Sequence, residues 1–392
     1  MLKKVYFTPY GVGLGHASRL MTIAEKIQNN NLEVKFSSFG EAVDYISRSG
    51  YICHKVSPVE FSWNSQGSFS LKNSIANVPN WFKNFTTQIV KEVELMIKFS
   101  PNLIVSDSRL SSIISGRLLG IPSLVLLNQI KLLLSPKLHS FKAGRFFETV
   151  NGEFIGSLWS FANEIIIPDL PPPYTISENN IWDTHSVKKK INYVGFISPK
   201  KNMSQQQVTK VSNLLNFSNN KPIVFFHISG PSKTRLPLVR KILEAQKYFK
   251  NKIQYVISEG KPNGKVEPLK LSDHGWYYEW CPIRDELFIM SNILVLRGGH
   301  TTISQAIQFG KPIISIPIEN HAEQISNSRK ITKIGIGIML KPNELTSEKL
   351  MESINILLND TKFVSKSNEI MEFCSKLNGV QNVINIVRSY IQ

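Results

Sequence analysis

The chain has 392 residues, 42% of them hydrophobic and 10% aromatic, and carries a formal net charge of +17. That length is more than one hydrophobic core fills, so two domains are expected, and the composition excludes a disordered polymer. No apolar run reaches the roughly 18–20 residues that cross a bilayer.

The N-terminus, MLKKVYFTPYGVG, enters a strand and a glycine loop without a signal-peptide core, so a cytoplasmic chain is expected. Residues 5–8 are a short β-rich run, Gly11-Val12-Gly13-Leu14-Gly15 a turn, and 17–28 an amphipathic helix. A strand over 32–37 and a helix over 41–49 follow, the helix stopping at Gly50. Pro101 precedes a strand over 103–106 that runs out on Asp107; a helix over 111–119 and a strand over 123–127 come next. The strand at 165–167 ends in Pro168-Asp169-Leu170-Pro171-Pro172-Pro173, which neither helix nor strand continues.

The pattern restarts with a strand over 222–228 that opens onto Ser229-Gly230-Pro231-Ser232. A helix over 238–249, a strand over 253–258, and strands at 274–280, 293–296 and 312–316, each followed by a helix, complete it. Strands alternating with helices at this spacing predict βαβ units and parallel sheets. The expected architecture is α/β, with two doubly wound, Rossmann-like domains over 1–195 and 205–392. A linker is placed at 196–204, and the last helix is expected to cross back to the N-terminal domain.

Three junctions carry chemistry. In Gly11-Val12-Gly13-Leu14-Gly15-His16-Ala17-Ser18-Arg19 the glycines let backbone N–H groups approach a ligand at the positive end of a helix. The GxGxG spacing is not the dinucleotide fingerprint, and no Walker lysine is present. An imidazole at such a helix start, beside a strand's carboxyl end, projects where open α/β sheets bind ligands. Its ordinary acidity suits removal of a proton from a hydroxyl, which makes His16 the candidate base. Asp107 either orients His16 or caps the helix that follows it. Arg19 either steers an acceptor phosphate or is a surface arginine.

The second junction, Arg297-Gly298-Gly299-His300-Thr301-Thr302, combines small residues, a helix start and two hydroxyls, a site for a diphosphate. The third, Pro317-Ile318-Glu319-Asn320-His321-Ala322-Glu323-Gln324, is a polar cluster at another strand's carboxyl end.

The order of these motifs, with Trp280-Cys281-Pro282 between them, resembles GT-B glycosyltransferases related to MurG. MurG adds N-acetylglucosamine to a polyprenyl-linked muramyl precursor at the membrane. The Gly-Leu-Gly-His-Ala-Ser-Arg start is similar to that of archaeal MurG-like, family 28 type transferases. The resemblance implies an inverting, metal-independent transfer from a nucleotide sugar, UDP-N-acetylglucosamine or another UDP-sugar, in a cleft between the two domains. The acceptor it implies is the hydroxyl of a polyprenyl-linked glycan or lipid. Trp280 and Cys281 would lie beside the nucleobase, Arg297 to Thr302 would form the phosphate loop, and Gln305 would meet the ribose. Glu323 and Gln324 would face the sugar, and Ser229, Gly230 and Ser232 would add donors to the diphosphate. Gly13, Gly15 and His16 would line the acceptor side. The family usually has Glu where this chain has Gln305, which replaces a charge-assisted bond by a neutral one.

No cofactor or metal is expected, since no HExxH motif or His/Cys cluster is present and Cys53, Cys281 and Cys374 form no CxxC pair. Residues 131–147, with Lys131, Lys137, Lys142, Arg145 and several apolar side chains, suit contact with an anionic membrane surface on the cytoplasmic face; a buried helix with a basic rim is the other reading. Two rival functions fit less well. A nonhydrolysing nucleotide-sugar 2-epimerase shares the two-domain frame but needs a set of carboxylates. A basic nucleic-acid-binding protein would account for the charge, but no recognition motif is present and the basic residues are dispersed.

Overall fold

The computed structural model describes residues 2–28, 31–59, 78–134, 136–181, 184–198, 203–249, 252–261 and 264–392. They form two compact units. The first gathers the described residues up to 198 together with Leu377–Gln392, and the second those from 203 to Lys376. Of the expected linker, 199–202 lie outside the described residues. Phe196, Ile197 and Ser198 are buried in the first unit, and Ser204 caps the first helix of the second with a reciprocal Gln207 bond.

The first unit is a seven-stranded sheet: β1 (Lys3–Pro9), β2 (Leu32–Ser38), β3 (Cys53–Lys55), β4 (Leu103–Asp107), β5 (Ser123–Leu126), β6 (Glu164–Ile167) and β7 (Ile191–Tyr193). The order is β3-β2-β1-β4-β5-β6-β7, and every pairing is parallel. Strands covered on both faces read as apolar runs, as in Val5-Tyr6-Phe7 and Leu103-Ile104-Val105, all fully buried. Helix α1 (Leu14–Ile27) turns Leu20, Ile23, Ala24 and Ile27 to the core at helical spacing. The helices that follow are α2 (Glu41–Arg48), α3 (Val78–Phe99), α4 (Leu110–Leu119), α5 (Pro136–His139), α6 (Lys142–Trp159) and α7 (Glu178–Ile181).

The second unit is also a seven-stranded sheet: β8 (Ile223–His227), β9 (Gln254–Ser258), β10 (Leu269–Ser272), β11 (Gly275–Tyr278), β12 (Ile293–Leu296), β13 (Ile313–Ser315) and β14 (Gly337–Met339). They lie in the order β10-β11-β9-β8-β12-β13-β14. Only the β10–β11 hairpin, at one edge, pairs antiparallel. Its helices are α8 (Gln205–Leu214), α9 (Ser232–Phe249), α10 (Arg284–Met290), α11 (His300–Gln308), α12 (Ala322–Lys333), α13 (Ser347–Asn359) and α14 (Thr361–Ser375). A final helix, α15 (Gly379–Ile391), belongs to the first unit, where Val383, Ile384 and Val387 join the α1 core.

Helix α9 begins at Ser232, well before the start expected at 238, and runs through Pro237. Pro237 is the sixth residue of the helix, past the first turn, so it removes one intrahelical bond, the one that its position would make to the Lys233 carbonyl. The segment expected as a strand over 274–280 pairs only over Gly275–Tyr278.

Candidate functional site

In each sheet the strand order reverses once, between β1 and β4 in the first unit and between β8 and β12 in the second. Ligands of open α/β sheets bind outside the strand carboxyl ends at such points. The glycine loop with His16 lies at the first of these places, and residues 229–232 and 297–302 at the second, whereas 317–324 follow β13 and 280–282 follow β11.

At the β1–β4 point the chain leaves β1 through Tyr10 and the glycine loop. A Cβ on Gly11 would lie 2.1 Å from the Phe39 carbonyl oxygen, so only glycine lets the loop pass. Gly13 is the N-cap of α1, Gly15 lies in its first turn, and His16 follows. Across the sheet Asp107 ends β4, fully buried. Asp107 Oδ1 meets His16 Nδ1 at 2.6 Å. Arg19, one turn on from His16, donates Nε to Oδ2 at 2.8 Å and Nη2 to Oδ1 at 2.9 Å. Ser108, held at φ 60, adds its hydroxyl to Oδ1 at 3.2 Å.

Burial alone would raise the pKa of this carboxyl, but Arg19 and His16 overcome burial and hold it at about 2. Asp107 is therefore a carboxylate at neutral pH and only accepts hydrogen bonds. It follows that Nδ1 of His16 carries its proton toward Asp107, which makes Nε2 the ring nitrogen that can serve as a base. Tyr10 sits edge-on to the imidazole at 5.7 Å and is itself held edge-on by Phe39 at 5.2 Å. The capping role considered for Asp107 is overturned: Arg109 is the N-cap position of α4, with no side-chain cap. Arg19 is not a surface arginine either, being 5% exposed.

Tyr10, Ser108 and Arg109 were not singled out in the sequence. Arg109 is buried, donates to the Ser37 carbonyl at 2.6 Å and pairs with buried Glu92 of α3. Its own carbonyl accepts from Ser106 and Ser112 at 2.9 Å, which anchors the turn that presents Asp107.

At the β8–β12 point, Ser229 and Gly230 follow β8, and Ser232 opens α9. Opposite them Arg297, Gly298 and Gly299 lead into α11, whose first residues are His300, Thr301 and Thr302. Gly298 stands at φ +82 and its carbonyl accepts from Asn327 Nδ2 at 3.2 Å. Arg297 is buried and donates Nη1 to the Thr234 carbonyl at 3.1 Å. Arg235, which was missed, is buried as well, holding the Gly230 carbonyl at 2.8 Å and Glu259 at 3.2 Å, with Tyr277 donating to the same carboxylate. Burial, with Arg235 close by, lowers Arg297 to about 10. Two guanidiniums and one carboxylate thus leave a positive balance under the loop. Nε of both arginines and Oε1 of Gln305 are buried without a hydrogen-bond partner.

Thr302 donates its hydroxyl to the Gly299 carbonyl at 3.0 Å, so that proton is engaged within the loop. His300 is buried and 3.5 Å from the Ser304 hydroxyl. Gln324 accepts from Ile318 N at 2.9 Å through Oε1, leaving its amide hydrogens for other contacts. Glu323 lies in the first turn of α12. Cys281 is buried, with its thiol pushed up to about 12 by burial, whereas Trp280 is exposed.

On α6 the apolar stripe lies further along than 131–147 suggested. Phe146, Phe147, Val150 and Phe154 are exposed, whereas residues 132–134 are half-buried. Lys137, Lys142 and Arg145 are exposed beside them, and Lys131 is half-buried. Both acids of the helix turn to the protein: Glu148 accepts from Leu134 N, and Glu153 from His185 N and Ser186 N. Among the described residues no helix is long and apolar enough to cross a membrane.

Residues 225–385 match the glycosyltransferase family 28 C-terminal domain. An uncharacterised glycosyltransferase of Methanosarcina mazei is 28% identical over 95% of this chain and 94% of its own. The chain is a glycosyltransferase. The UDP-N-acetylglucosamine–N-acetylmuramyl-(pentapeptide) pyrophosphoryl-undecaprenol N-acetylglucosamine transferase of Clostridium tetani is 26% identical to it over 46% of this chain and 50% of that one. Among solved structures, the spinosyn rhamnosyltransferase SpnG complexed with thymidine diphosphate superposes with a TM-score of 0.69 at 14% identity, covering 98% of this transferase and all of that chain. The spinosyn forosaminyltransferase SpnP gives 0.68 at 16% identity over the whole of both chains. The transferase thus has the GT-B fold, two parallel-sheet domains, as the motif order suggested.

Proposed function

We propose that this glycosyltransferase moves a hexose or N-acetylhexosamine from a nucleotide sugar to an acceptor hydroxyl with inversion and without a metal ion. The observation that carries the reading is the His16–Asp107 pair, in which Nδ1 of His16 faces the carboxylate at 2.6 Å. His16 Nε2 takes the hydroxyl proton as the acceptor oxygen bonds to the anomeric carbon, and the bond from that carbon to the diphosphate breaks with its electron pair leaving on the nucleotide. Attack from the face opposite the leaving group inverts the centre.

The donor belongs to the second unit. The N–H groups at the start of α11, the Thr301 hydroxyl and the buried Arg235 and Arg297 beneath the loop oppose charge growing on the diphosphate. In this reading Gln305 meets the ribose, Trp280 and Cys281 flank the base, Glu323 and Gln324 meet the sugar, and Ser229, Gly230 and Ser232 add donors. Gly13 and Gly15 give the acceptor access to His16. The nucleotide is a substrate, and no resident cofactor is invoked. UDP-N-acetylglucosamine, the donor in the Clostridium tetani relative's name, is the first donor to test. The acceptor is a polyprenyl-linked glycan or lipid, presented at an anionic cytoplasmic leaflet by the phenylalanine and basic face of α6.

The test is His16→Ala in a transfer assay with a panel of nucleotide sugars. Turnover falls about 10²–10⁴-fold while donor binding, measured calorimetrically, stays near the parent's. Near-native turnover removes His16 as the base.

A further inference from the structure

Arg19 has no part in the transfer step as written, yet its guanidinium is built into the corner. It is 5% exposed, and two of its nitrogens grip Asp107 in a bidentate fork at 2.8 and 2.9 Å. The Nη2 atom also lies 3.1 Å from His16 Nδ1. Both nitrogens aim protons at the carboxylate, so neither accepts from the other. The guanidinium is a fixed cation against the buried edge of the imidazole.

A buried carboxylate whose only partner is an imidazole favours the imidazolium, because the pair then holds opposite charges out of water. An imidazolium has no lone pair at Nε2 and cannot act as a base. Here the charge of Asp107 is already matched. Among the described residues, the titratable groups facing the His16 ring are Arg19 from its own helix, Asp107 from β4 and Tyr10 from the loop after β1. Arg109, next to this turn, directs its guanidinium away to Ser37 and Glu92.

We propose that Arg19 is a positioning residue that keeps His16 a neutral base: it supplies the counter-charge of Asp107, so that the carboxylate fixes the imidazole's tautomer without drawing a second proton onto it. The fork also fixes the carboxylate plane, which sets the direction of the Nδ1–H bond and thereby of Nε2. The inference rests on the reading of His16 as the base.

The experiment is the pH dependence of kcat/KM for Arg19→Gln and Arg19→Lys beside the parent and His16→Ala. Loss of a cation this close moves the acid limb of Arg19→Gln upward by about one pH unit or more. At neutral pH its rate falls, by up to about tenfold for each unit that the limb moves, and recovers at alkaline pH, while KM for the nucleotide sugar stays within about twofold of the parent's. Arg19→Lys keeps the charge, so its acid limb stays near the parent's, although kcat drops with the lost fork. An Arg19→Gln limb that coincides with the parent's, or a loss that is equal at every pH, overturns the proposal. Nitrogen NMR of the parent's His16 gives a readout that needs no variant to fold: the Nδ1–H tautomer is expected, and an Nε2–H tautomer or an imidazolium at pH 7.5 overturns it. If His16→Ala keeps its turnover, the base reading itself fails. If His16→Ala is inactive and the Arg19→Gln limb does not move, the base reading stands and the role of Arg19 falls.

Discussion

Two neighbouring glycines of the β12–α11 loop should respond oppositely to the same added methyl. A Cβ on Gly298 would lie 2.7 Å from Ser328 Oγ, 2.8 Å from the Gln324 carbonyl oxygen and 3.1 Å from Ser315 Oγ, at a φ of +82. The left-handed backbone costs an ordinary residue about 1–2 kcal/mol, and crowding against a carbonyl that belongs to α12 adds about 1–3 kcal/mol. The sum, about 2–5 kcal/mol, lowers the melting temperature of a unit this size by roughly 4–20 °C. Gly299 sits at φ −69, and its Cβ would meet nothing nearer than Thr302 Oγ1 at 3.7 Å. Gly299→Ala should therefore change stability by less than about 1 kcal/mol. Its methyl nevertheless stands at the approach to the first N–H groups of α11, so KM for the nucleotide sugar should rise by about tenfold or more, the equivalent of about 1.4 kcal/mol. Differential scanning calorimetry and initial-rate kinetics on both variants decide the matter. A Gly298→Ala protein melting within a degree of the parent would refute the packing argument. A Gly299→Ala protein with the parent's KM would show that the diphosphate does not sit on this loop.

Acid should weaken the first unit in a defined window. The native carboxyl of Asp107 is depressed, so its contribution is complete above the ordinary carboxylate value of 3.8 and disappears as pH falls through about 2. That difference amounts to about 2 kcal/mol, and urea titrations of Asp107→Asn should show a flatter loss of stability between pH 4 and 2 than the parent; equal slopes contradict it. Transfer should survive excess EDTA, and loss that Mg²⁺ or Mn²⁺ restores would sink the account of the leaving group. Changing Lys137, Lys142 and Arg145 to Gln should weaken sedimentation with anionic vesicles by about 100-fold at low salt, at about 1 kcal/mol per charge. Unchanged sedimentation, or none by the parent, rules out α6 as the contact.

The alternation of apolar runs with glycine turns made the parallel sheets legible, because strands buried on both faces must be apolar throughout. His16, Asp107 and the Arg297–Thr302 loop were visible as polar residues placed where such strands end. What the sequence hid is long-range pairing. Arg19 and Asp107 are 88 residues apart, and they meet only because β1 lies beside β4, an adjacency no local pattern encodes. Helix α6 was obscured for a different reason: Phe146, Phe147, Val150 and Phe154 face outward while Glu148 faces in, the reverse of the amphipathic rule that locates a core face.

The placement of α15 sets an order of assembly. Domains usually close in the sequence in which they are synthesised. Here residues 377–392 complete the first unit, with Val383, Ile384 and Val387 covering the same apolar surface as Leu20 and Ile23. Those three side chains contribute on the order of 5 kcal/mol, and on the ribosome they arrive only after the whole of the second unit has been made. The N-terminal sheet therefore waits with part of one face uncovered while its successor folds. The part of the molecule that is begun first is finished last.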